Sequence, residues 1–268
     1  MPCAEPPSSA PFALFGVRAC DAAALAYQDR FFARDPHYAV RRQSALVIGV
    51  NCLAACAGGF CATVDAGPFA AAGFDLCLTR LAADAVAVVI ATPAGAAALT
   101  DGVLDERRLG AGHEEALARA EASARASFAA EPALERAIAR IAQHDRARPV
   151  ADAEWQRLGP SCFACTGCTN LCPTCSCFTI EDEVRGDGVV RRRVWDSCLL
   201  EGFQREASGH DPAPRPGDRV RRFWTHKFGA AFTRDFGRFG CVGCGRCDVT
   251  CPGRIGARQV LTRLGGEP

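Results

Sequence analysis

The sequence predicts an α+β chain in three parts: residues 1–112 form a small α/β unit, 113–158 a helical connector, and 159–268 a cysteine-rich domain broken by a long insertion. Short apolar runs rich in Val, Ile, Leu and Phe alternate with helical stretches in the first part. From His113 to Ala147 the composition turns to Ala, Glu and Arg. Two dense cysteine runs then begin at Cys162 and end at Cys251.

In the first part, Phe12–Val17 reads as a strand, and Asp21 can cap a helix reaching about Ala33. Ser44–Val50, Phe74–Leu78 and Val86–Ala91 are further strand candidates, and Thr92-Pro93 is an N-cap with proline at the first helical position. In the connector, Pro132 must start a new helix or kink the old one. Within the third part, the polar stretch Glu181–Val194 carries Gly186-Asp187-Gly188, a hairpin turn signal. His210–Asp218 is rich in Pro and Gly and reads as a surface loop.

With 31 Lys and Arg against 30 Asp and Glu, the net charge is +1, so no global field draws in nucleic acid or an anionic membrane. The apolar stretch Ala45–Ala62 contains Asn51, Gly58-Gly59 and three cysteines, and reads as a buried strand running into a loop, not as a membrane span. The first residues lack the basic and apolar segments of a signal peptide. Together with clustered cysteines, 17 in all, this predicts a reduced cytoplasmic setting with no direct membrane insertion.

Cys162-Phe-Ala-Cys165-Thr-Gly-Cys168-Thr-Asn-Leu-Cys172-Pro173 and Cys241-Val-Gly-Cys244-Gly-Arg-Cys247-Asp-Val-Thr-Cys251-Pro252 both have the spacing of the bacterial ferredoxin run. Three closely spaced thiolates let one loop cover three irons of a cubane, and the fourth iron is reached from elsewhere. Resemblance to two-cluster ferredoxins implies that each fourth cysteine crosses over. One [4Fe–4S] cluster is then expected on Cys162, Cys165, Cys168 and Cys251, and a second on Cys241, Cys244, Cys247 and Cys172. Gly167, Gly243 and Gly245 suit a backbone wrapped closely around a cluster. Zinc also takes thiolates from such pairs, making a zinc-stabilised interaction module an alternative. Cys172-Pro-Thr-Cys175 has the form of a redox dithiol but lacks the strand–helix setting of one.

Beyond the runs, Leu14-Phe-Gly-Val-Arg-Ala-Cys20-Asp21, Gly49-Val-Asn-Cys52, Gly67-Pro68, Gly73-Phe-Asp-Leu, Trp195-Asp-Ser-Cys198 and His226-Lys-Phe resemble landmarks of a known family. It comprises the iron–sulfur beta subunits of cytoplasmic sulfhydrogenases and the corresponding iron–sulfur subunits of anaerobic sulfite reductases. The resemblance implies an electron-transfer role between two partners. One is a flavin-containing diaphorase subunit; the other is catalytic, either a nickel–iron hydrogenase or a sirohaem sulfite reductase. Two features depart from the family pattern. Family members carry a longer segment before Leu14, and their Cys-Phe-Cys is here stretched to Cys56-Ala-Gly-Gly-Phe-Cys61.

Cys20, Cys52, Cys56 and Cys61 form a further group of four, a candidate third [4Fe–4S] site; the alternative is that they simply pack. That group also raises a second function class, a reductase subunit doing thiol or sulfur chemistry there. Cys175, Cys177 and Cys198 are expected to pack near the clusters, Cys77 to fill a strand core, and Cys3 to be a terminal thiol. His226 and Lys227 read as a solvated surface pair, with a role in partner docking as the alternative. With no dinucleotide fingerprint and no P-loop, no catalytic residue is assigned and substrate chemistry is expected on a partner.

Overall fold

The computed structural model describes residues 8–99, 111–142 and 150–266; Cys3 and the stretch 143–149 of the predicted connector lie outside them. The chain divides into two compact units, Met1–Ala130 with Val242–Cys244, and Glu131–Cys241 with Gly245–Pro268.

The first unit is built on a four-stranded sheet of β1 (Phe12–Val17), β2 (Ala45–Val50), β3 (Leu76–Arg80) and β4 (Val86–Ile90), in that order. The first three run parallel and β4 returns antiparallel to β3. Helices α1 (Ala19–Phe31) and α2 (Pro36–Gln43) make the crossover that a parallel β1–β2 pair requires. The sequence placed the β1–β4 strands within two residues but missed α2, whose apolar content is low. Asp21 does not cap α1: Arg18 is the N-cap residue, and Asp21, three places on, accepts from the Arg18 amide at 3.2 Å. Asp75 ties the sheet together, accepting from Val47 N at 2.7 Å and the Thr92 hydroxyl at 2.6 Å. Thr92 in turn caps α3 (Pro93–Ala98), as its Thr-Pro pair predicts. Asn51, just past β2, donates to Thr79 Oγ1 and accepts from Ala70 N, both at 2.9 Å, and so fixes the loop that carries Cys52, Cys56 and Cys61. α4 (Ala111–Ala126) also belongs to this unit.

The second unit is mostly helical. Pro132 opens α5 (Pro132–Ala142), whose apolar face of Leu134, Ala137, Ile138 and Ile141 packs on α11 (Ala257–Gly265). α6 (Asp152–Leu158) lies against α8 (Pro216–Phe228). The predicted loop His210–Asp218 therefore ends early. Pro216 and Asp218 are helix-start residues, Asp218 accepting from Arg215 N at 3.2 Å. The Glu181–Val194 excursion is the hairpin its turn predicts, β5 (Phe178–Arg185) paired with β6 (Gly188–Trp195), with Gly186 at φ +60°. Two short helices, α7 (Gly167–Asn170) and α10 (Arg246–Thr250), pack on each other, and α9 (Ala230–Phe236) follows α8.

Candidate metal centre

In the second unit a cavity is ringed by Cys162, Cys165, Cys168 and Cys251. Three of these thiols come from the first run, before and within α7, and the fourth follows α10. Apart from Thr166, the remaining wall is apolar, with Phe163, Leu199, Phe223, Trp224 and Ile255 among it. Burial, then the neighbouring Cys162, Cys251 and Cys165 thiolates, push the Cys168 thiol up to about 12. Thiols buried face to face are poor neighbours when ionised unless a cation joins them. Four thiol donors converging on one apolar-walled cavity are the donor set of an iron–sulfur cubane. Among the described residues, no group of three or more His, Cys, Asp or Glu side chains can hold a single metal ion, which needs its sulfurs about 2.3 Å from one centre.

Three members of the complementary set, Cys172, Cys241 and Cys247, also meet across the runs. Cys247, within α10, is raised by burial, then by the charges of Cys241 and Asp248, and by that of Cys172, the last cysteine of the first run. Amides point at these sulfurs: Ala257 N donates to Cys247 Sγ at 3.3 Å, and Ile255 N to Cys251 Sγ at 3.4 Å. Cys244 lies in the loop between Cys241 and α10 and is half-buried. Gly243 has φ +61°, and a Cβ there would stand 2.6 Å from Phe60 C, so the loop tolerates only glycine. Gly245 is likewise left-handed, but Gly167 is not. The first residue of α7, Gly167 instead gives space to Thr250, whose Oγ1 would lie 3.1 Å from a Cβ.

Lys227 corrects the solvated-pair reading. It is 5% exposed, and its Nζ donates to Thr174 Oγ1 at 2.9 Å. That hydroxyl also lies 3.2 Å from Cys172 Sγ and hydrogen-bonds to the Gly240 carbonyl. Burial opposes the ammonium charge, but the facing thiolates of Cys172, Cys175 and Cys241 outweigh it and hold the lysine well above its usual range. Its neighbour His226 is half-buried, and burial, then Lys227, hold it down to about 4. A helical period of 3.6 places Arg219 on the same helix as Lys227 about two turns earlier. Arg219 is 8% exposed, donates to Pro214 O at 2.8 Å, and is a cation neighbouring Cys162.

In the first unit, Cys52, Cys56 and Cys61 are mutual neighbours, Cys61 being pushed up to about 11 by burial and then by the other two. Two glycines make room for them. A Cβ on Gly59 would lie 2.4 Å from Cys56 Sγ, and one on Gly67 would lie 2.8 Å from Cys61 Sγ. Cys20, the second residue of α1, is half-buried, and Cys77 fills the strand core as predicted.

A family model described as a 4Fe-4S dicluster domain matches residues 161–255, and the cofactors of this chain are accordingly two [4Fe–4S] clusters. No helix among the described residues is long and apolar enough to cross a membrane. No solved structure matches the chain. Sulfhydrogenase 2 subunit beta of Pyrococcus furiosus is 30% identical over 271 aligned residues, covering 94% of this chain and 74% of that protein. The likeness thus spans both the sheet unit and the cysteine runs, and the chain belongs to the family of iron–sulfur beta subunits of sulfhydrogenases.

Proposed function

We propose that the two clusters are interleaved: Cys162, Cys165, Cys168 and Cys251 hold one, and Cys241, Cys244, Cys247 and Cys172 hold the other. The observation that carries this is the presence of Cys251 on the cavity wall beside the first three cysteines of the other run. Bound there, a [4Fe–4S] cluster supplies reversible one-electron transfer. The protein's own residues set its conditions: apolar side chains exclude water, amides donate to sulfur, and Arg219 and Lys227 place positive charge beside each thiolate set.

The chain then serves as a non-catalytic cytoplasmic relay. It passes electrons between a flavin-containing diaphorase subunit on one side and, on the other, a catalytic partner of the nickel–iron hydrogenase or sulfite reductase type. The ferredoxin-like domain spans 159–268, joined through a connector at 113–158 to the α/β domain of 1–112. Cys20, Cys52, Cys56 and Cys61 make a third cluster position, supported by the convergence of three of them and the glycines that clear space around two. Iron and acid-labile sulfide analysis of anaerobically prepared protein tests the set: about eight irons correspond to the two runs, and about twelve to all three groups. A value near four, or stoichiometric zinc, overturns the two-cluster assignment.

A further inference from the structure

Three cysteines of the second unit, Cys175, Cys177 and Cys198, belong to neither run, and the fold brings the last two together. Cys177 immediately precedes β5 and Cys198 lies just beyond β6. Phe178 pairs with Trp195, and past that last pair Asp196 N donates to the Cys177 carbonyl at 3.1 Å, so closing the hairpin draws the two cysteines side by side. They differ in access. Cys198 is 1% exposed, while Cys177 is only half-buried.

We propose that Cys177 and Cys198 form a redox-active dithiol that reduces an external disulfide. The two thiols divide the work by position, the accessible sulfur attacking and the buried one resolving. The Cys198 thiol donates to the Cys177 sulfur, which holds Cys177 down to about 6 and, with burial, pushes Cys198 up. Arg222 adds positive charge to both. Its guanidinium donates to the Cys198 carbonyl and, at 2.7 Å, to Gln204 Oε1, leaving its Nε buried without a hydrogen-bond partner among the described residues. A thiolate at neutral pH that is reachable and backed by a protonated thiol is the arrangement that thiol–disulfide exchange needs.

In the first step the Cys177 thiolate attacks one sulfur of the substrate disulfide, forming a mixed disulfide and releasing one substrate thiolate. Cys198 then loses its proton and attacks Cys177 Sγ, releasing the second thiolate and leaving the Cys177–Cys198 disulfide. The proton given up by Cys198 and one from solvent complete the two product thiols. Reopening the pair takes two electrons and one proton, which returns to Cys198, the electrons being those the iron–sulfur clusters carry.

The test uses the intact chain, prepared anaerobically with its clusters, and 2-hydroxyethyl disulfide as probe. After exposure, alkylation and digestion, mass spectrometry is expected to find Cys177 linked to Cys198 with iron content unchanged. Cys198→Ser is expected to hold a stable mercaptoethanol adduct on Cys177, and Cys177→Ser to react at least about tenfold more slowly. A purely structural pair gives no adduct in Cys198→Ser. Absence of the wild-type cross-link, or an adduct spread evenly over Cys175, Cys177 and Cys198, overturns the proposal. Iron near eight without the cross-link sinks the dithiol alone, whereas low iron with the cross-link present sinks only the cluster assignment.

Discussion

The two cysteine runs follow one backbone course with different residues. In the first, Ala164 and Thr166 sit at φ +50° and +61°; at the matching places the second has Gly243 and Gly245, at +61° and +73°. Left-handed backbone costs a non-glycine residue about 1–2 kcal/mol. The first run therefore holds strained residues where the second has permissive ones. Surroundings differ too: the first cavity is walled by aromatic and aliphatic side chains, whereas the second set faces the buried Lys227 and carries Arg246 and Asp248 within its own run. The loop geometry is dictated by what it must wrap, and the residues around it are left to set the redox character.

The sharpest way to break the comparison is to ask which run supplies which fourth thiol. Cys172→Ser is expected to remove the same electron paramagnetic resonance signal as Cys241→Ser, and Cys251→Ser the one lost in Cys162→Ser, each with about four irons gone. Finding Cys172→Ser and Cys162→Ser alike, with the Cys241 signal intact in both, would defeat the interleaved arrangement.

Next in size, Gly243→Ala should cost about 2–3 kcal/mol or the second cluster itself, because the new Cβ meets backbone at Phe60. Wild-type iron content and denaturation midpoint in that variant would contradict the close approach. Lys227→Met is expected to lower the potential of the second cluster by on the order of 50–100 mV, since a buried ammonium favours the more negative reduced state. Redox titration reads this, with Lys227→Arg as the charge-keeping control. Arg246→Ala should shift the same midpoint in the same direction but less, because Arg246 is only half-buried. The smallest effect is a gain: Ala164→Gly relieves left-handed strain and should raise stability by about 0.5–1 kcal/mol, after the extra freedom of the unfolded glycine is deducted.

Much of this was legible in the sequence because local chemistry repeats. The runs announce themselves by spacing, and the hairpin by Gly186-Asp187-Gly188. Aligning the runs even places Ala164 on Gly243 and Thr166 on Gly245. What stayed hidden depends on contacts distant in sequence. Lys227 reads as a surface residue because a lone lysine is normally solvated; the thiols of Cys172, Cys175 and Cys241 and the Thr174 hydroxyl make its burial tolerable. The role of Gly167 is set by Thr250, across the packing of α7 on α10. Cys177 and Cys198 look unrelated until the strands between them pair.

The position of Cys251 on the wall of the first cavity has a consequence in polymer terms. A group bound there joins Cys168 to Cys251 and closes a loop of roughly 80 residues, a restriction worth about 4 kcal/mol if it acts on the unfolded chain as a disulfide does. That loop contains β5, β6, α8 and α9, so cluster insertion fastens most of the second unit's chain at a single knot. Oxidative loss of one cluster should thus be felt as a loss of cooperativity far from the iron, with α8 and the hairpin opening together in hydrogen exchange.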